Sequence, residues 1–384
     1  MNILWLASWY PNPKEPVNGD FIQRQAKAVA EIFPITVIHV MQRGSVFQEE
    51  INFVHQTKNL KEIILAFAFK PIGIVLIDKL RYNFKYYSFY KKQIKKYINE
   101  FGKPDIIHAH IPIKAGLVAK YFSTKLNVPY IVSEHSSHYT KISHDSFFKR
   151  SKYFQRNTAK VFNGAGLVIN VSDAVTKKMN EFFKIKKYQT IRNTVDVDLF
   201  YYKELNNKIF RWIHVSSMNE YQKNINGIIN AFVELNKQQT NWELIMVGPF
   251  TTEQMQICTE RNLANKIIFI GEIEYSEVAK QMQQANAFVL FSRHENFPCV
   301  MEEALCCGLP VVTSNVGGVA EAVNDTNGLL VVTENIKELA NALNSVMINY
   351  VNYSRELIAK QANTLYNKEK IAKEIVDVYK SIIE

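Results

Sequence analysis

Residues 291–323 read FSRHENFPCVMEEALCCGLPVVTSNVGGVAEAV, and the order of apolar and polar runs here decides the fold. Ala287 to Phe291 is an apolar run with the character of a buried strand, and Ser292 to Asn296 is a polar loop. Pro298 suits the first turn of a helix, where its missing N–H is one that a helix start leaves unbonded anyway. Val300, Met301, Ala304 and Leu305 then recur at the spacings of an amphipathic helix face. Gly308 stops that helix, and Pro310 to Thr313 is a second apolar strand. Strand, loop, helix, strand is the βαβ unit of a parallel sheet. In such sheets ligands bind beyond the carboxyl ends of strands, and anions favour helix N-termini. The loop from Arg293 to Phe297 is therefore expected to face a ligand. Glu295 lies at its tip and Glu303 about two helical turns later, so both carboxylates are candidates for one cleft.

A chain of 384 residues has the length for two domains, and 47% hydrophobic with 21% charged residues is ordinary globular composition. No apolar run reaches the ~18 residues of a membrane span. The start, MNILWLASWYP, lacks a basic n-region and reads as a first strand, not a signal peptide. The four cysteines, Cys258, Cys299, Cys306 and Cys307, form no C-x-x-C pair and have no histidine at zinc-ligand spacing. Cys306 and Cys307 are expected to be small core residues rather than a redox pair, in a reducing cytoplasm with no structural metal. The net charge of +10 is uneven. Residues 1–192 hold 30 Lys and Arg against 13 Asp and Glu; the remainder holds 16 against 23. The basic half is expected to meet something anionic, such as a membrane surface, a lipid-linked phosphate or an acidic glycan. No nucleic-acid-binding signature accompanies the charge.

Outward from the deciding stretch, strands are expected at 2–7, 35–40, 52–55, 105–109, 129–133, 166–171, 189–192, 210–215, 242–247, 266–270 and 327–331, with helices between most of them. Asn18 and Gly19 close a proline-rich loop before a helix over 20–33, and a glycine there lets backbone approach a ligand closely. Trp9 and Tyr10 line an acceptor site or cap a core. His110 and the run containing Glu134, His135 and His138 fall at strand carboxyl ends, where ligands bind. Lys223 stands beside the N-terminus of a helix over 225–235, well placed for a diphosphate. Between Asn59 and Tyr97, aromatic and basic residues interleave. That stretch either lies on an anionic bilayer or forms a pair of helices packed on the core with a basic outer face. No G-x-G-x-x-G follows a strand, which disfavours an NAD-type oxidoreductase.

Glu295 and Glu303 with seven residues between them, then Ala304 and Gly308-Leu309-Pro310, resemble the retaining glycosyltransferases of family 4. The resemblance extends to Val316-Gly317-Gly318, to His135, to Asn193-Thr194-Val195-Asp196 with Phe200, and to Lys223. It implies the α/β GT-B fold: two Rossmann-like domains whose parallel sheets face across a cleft. The expected divisions are 1–195, an acceptor-side domain; 196–367, a nucleotide-sugar domain; and 368–384, a helix crossing back to the first. The implied reaction moves a sugar, with retention, from a nucleoside diphosphate sugar to a hydroxyl of a glycan or lipid-linked acceptor. The setting implied is bacterial surface polysaccharide or lipopolysaccharide biosynthesis, in the cytoplasm or peripheral on the inner face of the membrane. Neither metal nor cofactor is expected.

By the same resemblance His135 and Glu295 are the catalytic candidates. Gly19, Lys223, Gly248, Ile273, Arg293, Asn296, Phe297, Pro298 and Glu303 are donor-binding candidates, with Glu303 on the ribose. Asn18, His110, Glu134 and His138 are acceptor-side. The chain departs from the family where Asn-Phe-Pro replaces the commoner Gly-Phe-Gly, and where Ser217 replaces a diphosphate-binding Arg, a charge that Arg293 is expected to restore. Two other readings keep the same residues: a nucleotide-sugar epimerase or hydrolase, and a non-catalytic sugar-nucleotide-binding subunit.

Overall fold

The structure is a computed structural model that describes residues 1–42, 51–136, 138–140 and 146–383. Ser137 of the run just named lies outside the described residues. The chain forms two compact units. One comprises 1–136, 147–191 and 368–384, the other 137–146 and 192–367.

The first unit carries strands β1 (Ile3–Ala7), β2 (Ile35–Gln42), β3 (Ile51–Gln56), β4 (Leu60–Phe67), β5 (Ile106–His110), β6 (Tyr130–Glu134), β7 (Val168–Asn170) and β8 (Tyr188–Thr190). Their helices are α1 (Asp20–Ala30), α2 (Val75–Phe101), α3 (Ala115–Leu126), α4 (Lys152–Gly164) and α5 (Asp173–Asn180). The sheet order is β3-β4-β2-β1-β5-β6-β7-β8. All pairings are parallel except β3 with β4, so the expected all-parallel sheet has one antiparallel edge. β1, β5 and β6 are buried along their whole length, as strands covered on both faces must be.

Between Asn59 and Tyr97 the expected pair of helices is replaced by a strand and a single helix. Leu60 to Phe67 pairs in parallel with β2 and antiparallel with β3; it buries every position but Lys61 and Ile64, as suits a strand with a neighbour on each side. The 27-residue α2 then buries Tyr86, Phe89, Tyr90, Ile94 and Tyr97.

The second unit carries β9 (Phe210–Val215), β10 (Trp242–Val247), β11 (Ile267–Gly271), β12 (Ala287–Leu290), β13 (Val311–Ser314) and β14 (Gly328–Val331), in the order β11-β10-β9-β12-β13-β14, all parallel. Between and after them run α6 (Glu220–Lys223), α7 (Ile225–Asn236), α8 (Thr252–Glu260), α9 (Tyr275–Gln283), α10 (Cys299–Cys306), α11 (Ile336–Ile348) and α12 (Arg355–Tyr366). Trp212, Phe232, Trp242 and Leu343 anchor the core. Pro298 is the N-cap of α10 with an extended backbone, ψ 120°, and not its first helical residue.

The last helix, α13 (Lys368–Ile383), belongs to the first unit. Its buried stripe, Ile371, Ala372, Ile375, Val376 and Tyr379, packs into the core with Ile3, Trp5 and Ile106. Trp5 Nε1 donates to Tyr379 Oη at 2.9 Å. Among the described residues no helix is long and apolar enough to cross a membrane.

Candidate active-site residues in each unit

In a doubly wound sheet the strand order reverses at one place, and the loops leaving the two strands there splay apart to open a crevice. In the second unit that place is β9 beside β12. The loops leaving these strands are 216–224 and 291–298, and they bring together Lys223 and Glu295, 72 positions apart. Lys223 ends α6 and is buried; its Nζ donates to the buried Glu295 Oε1 at 2.5 Å. Each ion offsets the desolvation of the other.

Arg293, at the foot of the second loop, is fully engaged. Its guanidinium pairs with Glu334 and donates to the Glu220 carbonyl at 2.5 Å and to Asn224 Oδ1 at 2.8 Å. Its backbone N–H donates to the Gln222 carbonyl at 2.7 Å. Arg293 therefore ties the two loops to each other and to Glu334, three residues beyond β14. Ser217 is exposed in the first of them.

The Glu295–Pro298 loop is held in shape from beneath. Asn296 O accepts from Gly318 N at 2.8 Å. Gly317 has φ +60°, and a Cβ there would lie 2.2 Å from the Glu295 carbonyl oxygen, so only glycine lets the two loops approach this closely. Phe297 is buried, with the Arg192 guanidinium 4.1 Å from its ring centre and its carbonyl accepting from Asn193 Nδ2 at 3.3 Å. The same Asn193 amide donates to the buried Glu302 at 3.1 Å. Glu303 is buried too, and accepts from Tyr275 Oη at 2.6 Å. Glu295 and Glu303 thus hold separate partners, a lysine and a tyrosine.

Gly248 follows β10 with φ +134°; a Cβ would meet the Ser216 carbonyl oxygen at 2.1 Å. Ile273 is half-buried in the loop between β11 and α9. Behind the first loop, His214 Nδ1 lies 2.9 Å from the Val289 carbonyl and Nε2 2.7 Å from Ser216 Oγ. A carbonyl only accepts, so Nδ1 carries the proton and Nε2 accepts from the serine hydroxyl. Burial pushes this histidine down to about 4, so it is neutral near pH 7.

In the first unit the order reverses between β1 and β5. Gly19, at φ +73°, precedes α1, and a Cβ would meet the Trp9 carbonyl carbon at 2.7 Å. Asn18 Nδ2 donates to Glu15 Oε2 at 3.0 Å. Tyr10 is fully buried and donates to Glu62 Oε1 at 2.8 Å, so of its two expected roles the core one is observed.

A column of histidines stands at the ends of β5 and β6. His108 and His110 have ring centres 4.1 Å apart, and His110 stacks on His135 at 5.8 Å. Trp5 lies 4.2 Å from His110, and Phe21 4.8 Å from His135. His108 is fixed by Tyr379 Oη and Ser133 Oγ, each at 2.7 Å. The ring nitrogens of His110 and His135 are buried without a hydrogen-bond partner, and burial holds His110 well below its ordinary value and His135 at about 3. Both imidazoles are therefore neutral near pH 7.

Glu134 is buried and turned back on its own loop, accepting from the backbone N–H groups of His135 (2.9 Å) and Ser136 (2.7 Å). His138 is half-buried and groups with the second unit. Sequence reasoning did not single out Tyr275, Glu302, Arg192, Glu334 or His214. Tyr275 lies 28 residues from its carboxylate in a helix with no motif of its own.

Two family models match successive parts of this chain: "Glycosyltransferase Family 4" over residues 33–199 and "Glycosyl transferases group 1" over residues 203–364. Among curated relatives, an uncharacterized glycosyltransferase of Methanocaldococcus jannaschii is 29% identical over 64% of this chain and 66% of its own length. A second from the same organism is matched over 43% of its length, so the chain spans from 43% to 66% of these two relatives. A candidate teichuronic acid biosynthesis glycosyltransferase of Bacillus subtilis, TuaC, is 22% identical over 89% of this chain and 88% of that one. The fold is similar to that of a sucrose-phosphate synthase from Thermosynechococcus elongatus (TM-score 0.78, 18% identity, 99% of both chains). It is also similar to Anabaena HepE in complex with UDP (TM-score 0.72, 18% identity, 99% of this chain and all of that one). Two doubly wound units of GT-B type, matched in succession by both models, make this chain a member of the family 4, or group 1, glycosyltransferases.

Proposed function

We propose that this protein transfers a sugar from a nucleoside diphosphate sugar to a hydroxyl of a glycan or lipid-linked acceptor, with retention and without a metal ion, in the building of a surface polysaccharide or lipopolysaccharide. The observation that carries the reading is the buried Lys223–Glu295 pair at the place where the second sheet reverses its strand order. In the reaction the bond from the anomeric carbon to the diphosphate breaks, and a bond from that carbon to the acceptor oxygen forms. The acceptor proton leaves with the diphosphate. Lys223, and Arg293 in exchange with Glu334, are assigned to the negative charge that develops on the leaving group. Glu303, held by Tyr275, is assigned to the ribose hydroxyls. Glu295 and the Asn296–Pro298 loop serve the donor sugar, with Gly248 and Ile273 toward the nucleotide.

Within the first unit, His135 is assigned to the sugar, and His110 with Asn18 and Gly19 to the acceptor side. Support for a nucleotide donor comes from HepE, whose structure contains UDP, and support for a polysaccharide product from the name of TuaC.

Thermal-shift measurements with UDP-, GDP-, ADP- and TDP-sugars test the donor site, since a ligand binding only the folded chain raises Tm. One nucleotide class is expected to stabilise the wild type, and Glu303→Ala and Arg293→Ala to lose most of that shift. An unchanged shift in Arg293→Ala removes that residue from the site, and no shift with any nucleotide overturns the donor reading. Product analysis then separates transfer from hydrolysis or epimerisation, and activity retained in EDTA checks metal independence.

A further inference from the structure

The start of α2 is unlike the rest of the first unit. Toward its C-terminal end the helix buries its aromatic residues against the sheet. Its first turns and the segment before them do the reverse. Residues 70–77 are all exposed. Val75 is 84% exposed, Leu76 69%, Leu80 62% and Phe84 78%, with Ile72 and Ile74 each just over half exposed. Leu76, Leu80 and Phe84 recur every four residues and so form one stripe. Solvated proteins rarely leave so many large aliphatic side chains together in water, and a contiguous patch of this kind marks a binding surface.

The surroundings of the patch identify the partner. Between residues 70 and 96 the chain has eight Lys and Arg and a single acidic residue, Asp78. Asp78 is itself used, accepting from the backbone N–H groups of Ile72 and Gly73 and pairing with Arg81 at 3.2 Å. That bond pattern holds the Ile72–Ile74 segment against the helix start. Lys70, Lys79 and Arg81 are exposed beside the stripe, and the exposed Tyr153 of α4 lies under Lys79, whose Nζ is 5.9 Å from its ring centre. Aliphatic tips rimmed by lysine and arginine, with a tyrosine alongside, match the layers of a bilayer interface: acyl chain, then headgroup. A second copy of the chain fits poorly, since an isologous contact would set like-charged rims against each other.

We propose that the Ile72–Phe84 segment is a docking surface for an anionic phospholipid bilayer, the aliphatic side chains entering the headgroup boundary and the lysines meeting lipid phosphates. The surface would hold this unit at the place where a lipid-linked acceptor is presented. The proposal stands apart from the transfer reading, because it is measured without any sugar nucleotide.

The test is co-sedimentation of the full chain with vesicles of phosphatidylcholine, with and without phosphatidylglycerol. Binding to the anionic vesicles and not to phosphatidylcholine alone is expected, weakening as salt rises. Leu80→Ser with Phe84→Ser should weaken it about tenfold or more, and Lys70→Gln or Lys79→Gln about fivefold each. Tm should stay unchanged, since all four side chains are exposed. Equal binding to neutral vesicles, no binding to either, or binding indifferent to the Leu80/Phe84 pair overturns the proposal. So does a wild-type dimer that the Leu80/Phe84 variant converts to monomer, which would assign the patch to a second copy.

Discussion

Lys223 and Glu295 form a buried ion pair whose contribution to stability can be separated from its proposed part in donor binding. Removing one partner leaves the other ion buried and unpaired, a cost of about 3–5 kcal/mol, whereas replacing both by apolar side chains is often nearly neutral. Lys223→Met should therefore lower Tm by several degrees. Lys223→Met with Glu295→Leu should recover most of that loss and still fail to bind a sugar nucleotide. Calorimetry with and without the nucleotide found in the thermal screen checks both halves. Recovery of Tm together with recovery of binding would show that the pair is only structural. The thiols behave differently: burial raises Cys258 to about 11 and moves Cys306 and Cys307 upward too, so these are inert packing residues. At this scale the sequence was legible where residues recur at motif spacing, as at Glu295 and Glu303, or stand beside a helix start, as at Lys223. It was silent on Tyr275 and Glu334, which reach the site from distant segments.

The short helix α10 carries Glu302 and Glu303 and needs an external hold. Eight residues form barely two turns, too few to be stable alone. Arg355, buried at the start of α12, supplies that hold: Nε donates to the Gly308 carbonyl and Nη2 to the Cys307 carbonyl, each at 3.2 Å. These are carbonyls at the C-terminal end of α10, where a cation is favoured by the helix dipole. Gly308, at φ +74°, accepts this closeness because a Cβ would meet the Arg355 carbonyl oxygen at 2.4 Å. Arg355→Met should cost about 2–3 kcal/mol, as loss of hydrogen bonds from a charged donor does, and should weaken nucleotide-sugar binding through Glu303. A variant with wild-type Tm and affinity would refute the brace. Strand β4 shows the limit of local reading: Leu60 to Phe67 has the composition of the aromatic stretch that follows it, yet it is a strand because β2 and β3 offer it ladders on both sides.

Across the whole molecule, buried histidines make stability sensitive to mild acid. Burial lowers His39 and His214 to about 4 and His135 to about 3, and lowers His108 and His110 as well. In the unfolded chain each would take a proton near pH 6.5. Their neutral folded forms therefore contribute stability that is complete above pH 6.5 and is lost as pH falls toward the folded values. Each histidine can remove about 1.4 kcal/mol per pH unit in that window. Tm should drop steeply between pH 6.5 and 5, before most carboxylates titrate; a flat profile there would contradict the buried, neutral assignment.

The sequence by itself determined the two-unit α/β layout, most strand positions and the spacing of the motif from Glu295 to Pro310. Those signals are local: apolar runs, capping glycines and carboxylates at fixed spacing within one βαβ unit. Only the tertiary structure decided which strands meet where the sheets reverse, and so which loops pair Lys223 with Glu295 across 72 residues. It alone set the His108–His110–His135 column and turned the aromatic face of α2 inward while leaving its aliphatic start in solvent. The reason is physical: long-range pairing and burial depend on which surfaces the packed chain brings together, and no window of sequence contains both surfaces.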